Sequence, residues 1–253
     1  MNQTVLYQFR ISPKGPLRVG VSGKPEQADP IIHSDTLFAA LVALAAARGK
    51  PPSWLPPSDI PPGGESTDCP VQCSSLFPFY KQILFFPRPR LSVRFENPGD
   101  REASPDRKRL KRVLWVSRGA LALMLNGCHK PFRPDAFSWG PDFLSLPNEH
   151  VPGALCLYRQ AQTPGNVLDR VTNASDTFRR AEIIYNTPDC GLWGMLRCTE
   201  DSVEELRELL VELGRQGIGG KRSIGRGGFD LLSFEPCPPL DVPAAAHGVL
   251  LSL

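Results

Sequence analysis

The chain contains no run of eighteen uncharged apolar residues, so a helical membrane span is excluded and no membrane partner is expected. Its start, Met1-Asn2-Gln3-Thr4, lacks the charged-then-apolar form of a secretory signal. A strong charge of either sign is also missing: 29 basic and 26 acidic residues among 253 give a formal +3. A nucleic-acid argument must therefore rest on where the charge sits. Seven cysteines, an odd and widely scattered number, fit reduced thiols in a cytoplasm. Cys69-x-x-x-Cys73 supplies half a zinc set that Cys128-His129 could complete; ordinary loop cysteines are the simpler reading, and no metal or other cofactor is expected. What is plentiful is proline, 27 residues, much of it in loops such as 51–64, where it lowers the entropy of the unfolded chain.

Periodicity assigns the ends of the chain. Val5, Tyr7, Phe9 and Ile11 alternate with Gln8 and Arg10, a half-buried strand. Leu17, Val19 and Val21 predict a second short strand. A helix is predicted from an Ser34 N-cap to Arg48, stopped by Gly49, and its nearly continuous apolar surface predicts deep burial. Residues 179–186 predict a strand, 187–191 a turn, and 192–198 its hairpin partner. Ser202-Val203-Glu204-Glu205 has the form of a capping box, and Val203, Leu206, Leu209, Leu210 and Leu213 make the apolar stripe of the helix it opens. Residues 228–234 close the set as a strand. The order strand–helix–strand–strand–helix–strand predicts an α+β, ferredoxin-like (βαββαβ, RRM-like) domain over residues 1–235, with an insertion at about 50–175. Gly248–Leu253 begins another strand, so 236–253 reads as the start of a second, incomplete ferredoxin-like half.

Two segments carry chemistry. Residues 217–229 hold six glycines and three cations with no acid. Glycine permits left-handed backbone and close approach of an anionic chain to main-chain amides, so this run predicts an RNA grip rather than a plain connection. It is no nucleotide-binding P-loop: Arg215 stands where that motif needs glycine, and Arg222 where it needs Ser or Thr. The second segment, 88–118, has ten basic residues against four acidic, net +6, densest over Arg107–Arg112. Such a run is either a solvated loop or a phosphate-binding surface whose affinity falls steeply with salt. His33 reads as a polar neighbour of the helix cap, with a general acid–base role in RNA cleavage as the alternative. Trp54, Trp115, Trp139 and Trp193 read as core or interface residues. The acidic helix at 201–213 reads as a solvated face or a face for a basic partner.

These segments resemble the RAMP superfamily of CRISPR proteins, whose glycine-rich loop lies between the last helix and last strand of a ferredoxin-like domain. The likeness is more specific to the fourth Csm subunit of type III-A effector complexes. His33-Ser34-Asp35-Thr36-Leu37-Phe38-Ala39-Ala40-Leu41 resembles its first helix, and Gly217-Ile218-Gly219-Gly220-Lys221-Arg222-Ser223-x-Gly225-x-Gly227 resembles its loop nearly residue for residue. Phe86-Pro87-Arg88-Pro89 and Asn166–Asn173 resemble two further stretches. Family members usually continue past the strand that Gly248–Leu253 resembles, so the resemblance implies that the second half begun at 236–253 is truncated in this sequence. The resemblance implies a non-catalytic, cytoplasmic ribonucleoprotein subunit of antiviral defence. It would cap the 5′ repeat-derived handle of crRNA and bridge the large polymerase/cyclase subunit to the first backbone RAMP subunit, meeting target RNA indirectly. By analogy the basic insertion, or part of it, supplies a thumb that intrudes on the guide. The RNA-binding set it implies is Gly217, Gly219, Gly220, Lys221, Arg222, Ser223, Gly225, Arg226 and Gly227, with His33, Ser34, Arg88, Arg90, Lys108, Arg109, Lys111, Arg112 and Arg170. Lys221, Arg222 and Arg226 are the first-rank phosphate contacts. The runner-up is a metal-independent crRNA-processing endoribonuclease with His33 as its acid–base.

Overall fold

Alternating apolar residues do build the first strand. In the computed structural model, which describes residues 3–21, 23–49, 52, 54–55, 70–91, 93–96, 105–127, 131–168, 175–186 and 188–238, Phe9 and Ile11 are fully buried. Along the chain the elements are β1 (Thr4–Pro13), β2 (Gly20–Val21), β3 (Lys24–Ala28), α1 (Ser34–Ala47), β4 (Gln72–Cys73), β5 (Phe77–Tyr80), β6 (Ile83–Pro87), α2 (Pro105–Leu110), β7 (Trp115–Ser117), α3 (Arg118–Gly127), β8 (Ser138–Trp139), β9 (Phe143–Ser145), β10 (Tyr158–Leu168), β11 (Ser175–Tyr185), β12 (Cys190–Thr199), α4 (Val203–Gln216) and β13 (Phe229–Pro236). They fall into two units, one built on residues 1–76 and 158–237, the other on 77–157.

In the first unit β1 is central. It pairs antiparallel with β12 (Phe9 opposite Gly194) and with β13 (Phe9 opposite Phe234), while β12 pairs antiparallel with β4. The order β13-β1-β12-β4 is that of a ferredoxin-like sheet. Helices α1 and α4 pack on each other, α1 against β4 and α4 against β13. Their buried leucines (Leu37, Leu41 and Leu44; Leu206, Leu209, Leu210 and Leu213) join Phe9, Ile11, Leu192 and Leu196 in one apolar core.

The second strand of this fold is not the predicted one. β11 pairs along eleven residues with β10, Tyr185 opposite Tyr158 and Ser175 opposite Leu168, in a separate two-stranded ribbon, and the hairpin of β11 with β12 does not form. The short β4 takes the place beside β12. β11 is an amphipathic strand whose buried Ala181, Ile183 and Tyr185 face the core, so its local pattern is that of a sheet strand while its partner lies about twenty residues upstream. The ribbon base is tied down by a Leu17–Ile183 bridge, by Gln160 and Gln162 donating to the Glu26 carbonyl (3.3 and 3.2 Å), and by the Tyr185 hydroxyl on the Pro30 carbonyl.

Helix starts also differ from expectation. The N-cap of α1 is His33, with extended backbone, and Ser34 is the first helical residue; Ser34 N–H donates to Ser75 Oγ at 3.2 Å. Burial of α1 is one-sided, leaving Ala39, Ala43, Ala46 and Ala47 exposed, because alanine is apolar enough to read as core yet small enough to stand at the surface. At α4 the capping box is absent: Ser202 makes no cap bond and its hydroxyl instead meets Thr199 Oγ1 at 2.9 Å, after a turn of 3-10 helix over Glu200–Ser202.

The second unit contains structure that periodicity did not reveal. Its sheet runs β5-β6-β7-β9-β8, antiparallel except for β7 with β9. Helix α3 packs on β6, β7 and β9, over Phe85, Phe143, Val116 and Leu144. Ser117 accepts the Ala120 amide (3.1 Å) and donates to Glu149 (2.5 Å), whose carboxylate also accepts the Gly119 and Leu146 amides. A carboxylate at a helix start offsets the positive end of its dipole. The predicted strand at 248–253 and most of the proline loop 51–64 lie outside the described residues. Among the described residues no helix is long and apolar enough to cross a membrane.

Candidate nucleic-acid interface

The glycine run is an ordered structure between α4 and β13. Gly217 ends α4, its amide donating to Leu213 O (2.7 Å). Ile218 N–H donates to Gly227 O (2.9 Å) and closes the neck of the loop. Two bonds fasten it to the segment after β1: Gly220 N–H to Arg18 O (2.8 Å) and Gly227 N–H to Pro16 O (3.2 Å). The tip, Arg222–Ile224, is one turn of 3-10 helix started by Lys221 in the left-handed region, φ 65°. The neck needs glycine: a Cβ on Gly227, at φ 78°, would lie 2.0 Å from Ile218 O, and one on Gly219, at φ 85°, 2.6 Å from Arg18 O.

This hydrogen bonding narrows the predicted amide cradle. The amides of Gly217, Ile218, Gly220, Ile224, Gly225, Arg226 and Gly227 all donate within the chain. Those of Arg222 and Ser223, at the start of the 3-10 turn, have no acceptor among the described residues. Lys221, Arg222, Ser223 and Ile224 are all exposed, Ile224 at 58%, and neither cation has an acidic partner there. The tip therefore presents two charges, two amides and an apolar side chain to solvent on a fixed backbone. That combination suits phosphate and base contact with a single strand.

Arg226 is placed differently from the other two cations. Its Nε donates to Glu182 Oε1 at 3.1 Å, and Glu182 is buried. The other Glu182 oxygen accepts from Thr163 Oγ1 (3.1 Å). Arg18 Nη1 donates to Ala181 O (2.6 Å) and Pro25 O (3.3 Å). The loop is thereby joined to the ribbon through the predicted Arg226 and through Glu182, Thr163 and Arg18, which sequence reasoning passed over. The available signal was Arg180 and Glu182 at i and i+2 of a strand, which places both on one face.

The remaining predicted residues are scattered. Ser34 is half-buried and engaged through its backbone. His33 is exposed, with Nε2 3.0 Å from Asp29 Oδ2. In the second unit Arg88 Nε donates to Val113 O (3.0 Å), and the Arg109 guanidinium lies 4.8 Å over the Trp139 ring. Arg90, Lys108, Lys111 and Arg112 are exposed with no ion pair among the described residues. Arg170 lies outside the described residues, as do Cys69, Cys128 and His129. Cys73, Cys190 and Cys198 are buried, and burial pushes the Cys190 thiol up to about 11. No group of three or more metal-ligating side chains occurs among the described residues.

No family model and no curated protein matches the chain. Solved structures do. A chain of the Csm3–Csm4 subcomplex in the type III-A CRISPR-Cas interference complex superposes with TM-score 0.55 at 13% identity, over 92% of this chain and 70% of that one. A chain of the Csm1–Csm4 cassette in complex with pppApA superposes with TM-score 0.50 at 18% identity, over 94% and 72%. The chain therefore shares a ferredoxin-like fold with these chains of Csm complexes.

Proposed function

We propose that this chain is an RNA-binding subunit of a type III CRISPR effector complex, of type III-A, that holds the 5′ repeat-derived handle of crRNA. In this reading it bridges the large polymerase/cyclase subunit and the first backbone subunit, and it cuts no RNA. The observation that carries the reading is the loop tip, where Lys221 and Arg222 project with no acidic partner among the described residues from the helix-to-strand loop of a ferredoxin-like fold. The β10–β11 ribbon is about 36 Å long at the usual rise of a strand and is the element built to reach along a guide strand. Its first strand, β10, lies within the insertion of about 50–175, so the ribbon contains the part of the insertion proposed as the thumb.

The test is co-purification from cells carrying the whole operon, with sequencing of bound RNA. Arg226 belongs to the Glu182 pair, so the informative variant is Lys221→Ala/Arg222→Ala. Wild type should bring down a large ribonucleoprotein whose RNAs share a repeat-derived 5′ end, and the variant should lose that RNA. Equal recovery from the variant would remove the loop from the RNA contact. The catalytic alternative has one supporting observation, the Asp29 carboxylate against His33 Nε2, an arrangement that can orient a general base. A single cut in labelled repeat RNA in EDTA, abolished by His33→Ala, would overturn the non-catalytic assignment.

A further inference from the structure

We infer that Arg226, paired with the carboxylate of Glu182, together with Arg180 on the same strand face and Arg18 on the adjoining Ala181 carbonyl, forms a binding site for one phosphate group. Glu182 and Arg180 stand two residues apart on β11 and so share a face, and Thr163, the cross-strand neighbour of Arg180, is on that face too. Thr163 and Arg226 each take one oxygen of Glu182. That carboxylate is the one acid of the cluster, against three cations. Arg18 is held by the carbonyls of Ala181 and Pro25, which orient its charge without neutralising it.

Arg180 is the unexplained member. Its Nε is buried with no hydrogen-bond partner among the described residues, and its guanidinium lies 5.7 Å from the Phe178 ring, which accepts no strong hydrogen bond. Proteins rarely leave a buried charged donor unmet. Arg18 shows the strain of this crowding: its guanidinium is pushed below its ordinary value by burial first and then by Arg180, with Glu182 opposing. An anion with several acceptor oxygens relieves both defects at once. Phosphate fits best, because the planar guanidinium fork pairs with it bidentately and more than one fork can share it. Arg18, Arg180 and Arg226 are all half-buried, so a ligand reaches them from solvent while Glu182 stays beneath.

The site adjoins the glycine loop. Gly219 and Gly220 lie against Arg18, whose Cγ and Cδ would be 3.7 Å from a Cβ on Gly220. A phosphate here would lie beside the strand that Lys221 and Arg222 are proposed to hold. The RNA assignment of this phosphate rests on that reading; the oxyanion chemistry does not.

Two measurements on the full chain separate them. The first is thermal unfolding in inorganic phosphate against chloride at equal ionic strength, for wild type, Arg180→Gln and Arg180→Lys. Phosphate should raise the wild-type midpoint, Arg180→Gln should abolish the rise, and Arg180→Lys, with charge but no fork, should keep part of it. The second is binding of single-stranded repeat RNA across a salt series. Arg180→Gln should lower the log–log slope by about 0.7, the value for one phosphate on a single strand. A phosphate effect with an unchanged RNA slope would assign the site to a free phosphate or nucleotide and overturn the RNA assignment alone. RNA binding that depends on Lys221 and Arg222 but is indifferent to Arg180, with no differential phosphate effect, would overturn the site and leave the loop reading standing.

Discussion

Two glycines of the same loop with similar φ should respond very differently to a methyl group. Gly227 and Gly225 both have positive φ, but a Cβ on Gly227 would meet Ile218 O while one on Gly225 meets nothing within 4 Å. Gly225→Ala should cost about 1 kcal/mol, the ordinary penalty for an L-residue in the left-handed region. Gly227→Ala adds a clash with backbone that cannot turn aside, and should cost about 3 kcal/mol in urea denaturation. Equal costs would mean that the neck is not closed as described. Buried ionisable groups give a second prediction. Burial raises Cys190 to about 11, and raises Tyr185 well above its ordinary value through desolvation first and then Tyr158. Both are neutral when protonated, so the unfolded chain loses these protons at lower pH than the folded one. The stability they provide is complete below the ordinary thiol value and is lost as pH climbs through about 11. The unfolding midpoint should fall steeply from pH 9 to 11, and less steeply in Cys190→Ala.

At the scale of the element, what a sequence can disclose is a period, and what it conceals is a partner. The stripe of α4 was legible because Leu206, Leu209, Leu210 and Leu213 recur at helical spacing and all four are buried. The strand character of β11 was legible too, but its pairing with β10 was not, since period 2 says only which face is inward. The second unit was hidden for another reason. Its strands are two to five residues long, too short for a period to show, and its aromatic core comes from well-separated segments such as Phe85 and Phe143, 5.1 Å apart. The site divides likewise: Lys221 and Arg222 were visible as a local composition, whereas Arg18, Arg180 and Glu182 meet only through the fold. The energetics of α4 follow from its two faces. Leu209→Ala removes a fully buried side chain and should cost about 3 kcal/mol. Arg48→Ala removes the exposed pairs of Arg48 with Glu212 (2.5 Å) and Glu208 (3.6 Å), and should cost under about 1 kcal/mol because water and salt screen them. Urea unfolding of the two variants checks the contrast; comparable losses would show that the α1–α4 contact is held by charge.

On the whole molecule, a net charge of +3 conceals two basic surfaces, one in each unit. The first is the loop tip with Lys221 and Arg222. The second is Arg90, Lys108, Lys111 and Arg112, exposed and with no ion pair among the described residues, while Arg88 donates to a carbonyl and Arg109 lies over a tryptophan ring. If both surfaces meet phosphates of one bound RNA, each contact releases counterions independently, and losses in the salt slope should add. Lys221→Ala/Arg222→Ala should lower the slope for repeat RNA by about 1.4, two contacts at about 0.7 each. Lys108→Ala/Lys111→Ala/Arg112→Ala should lower it by up to about 2 on the same count. The five-site variant should show the sum. A combined loss no larger than that of the loop variant would mean that the second unit's cations are a solvated face and that RNA is read by the ferredoxin-like unit alone. In the additive case random RNA and repeat RNA should lose affinity in parallel, since phosphate contacts carry no sequence, and any remaining preference for the repeat handle must come from contacts to its bases.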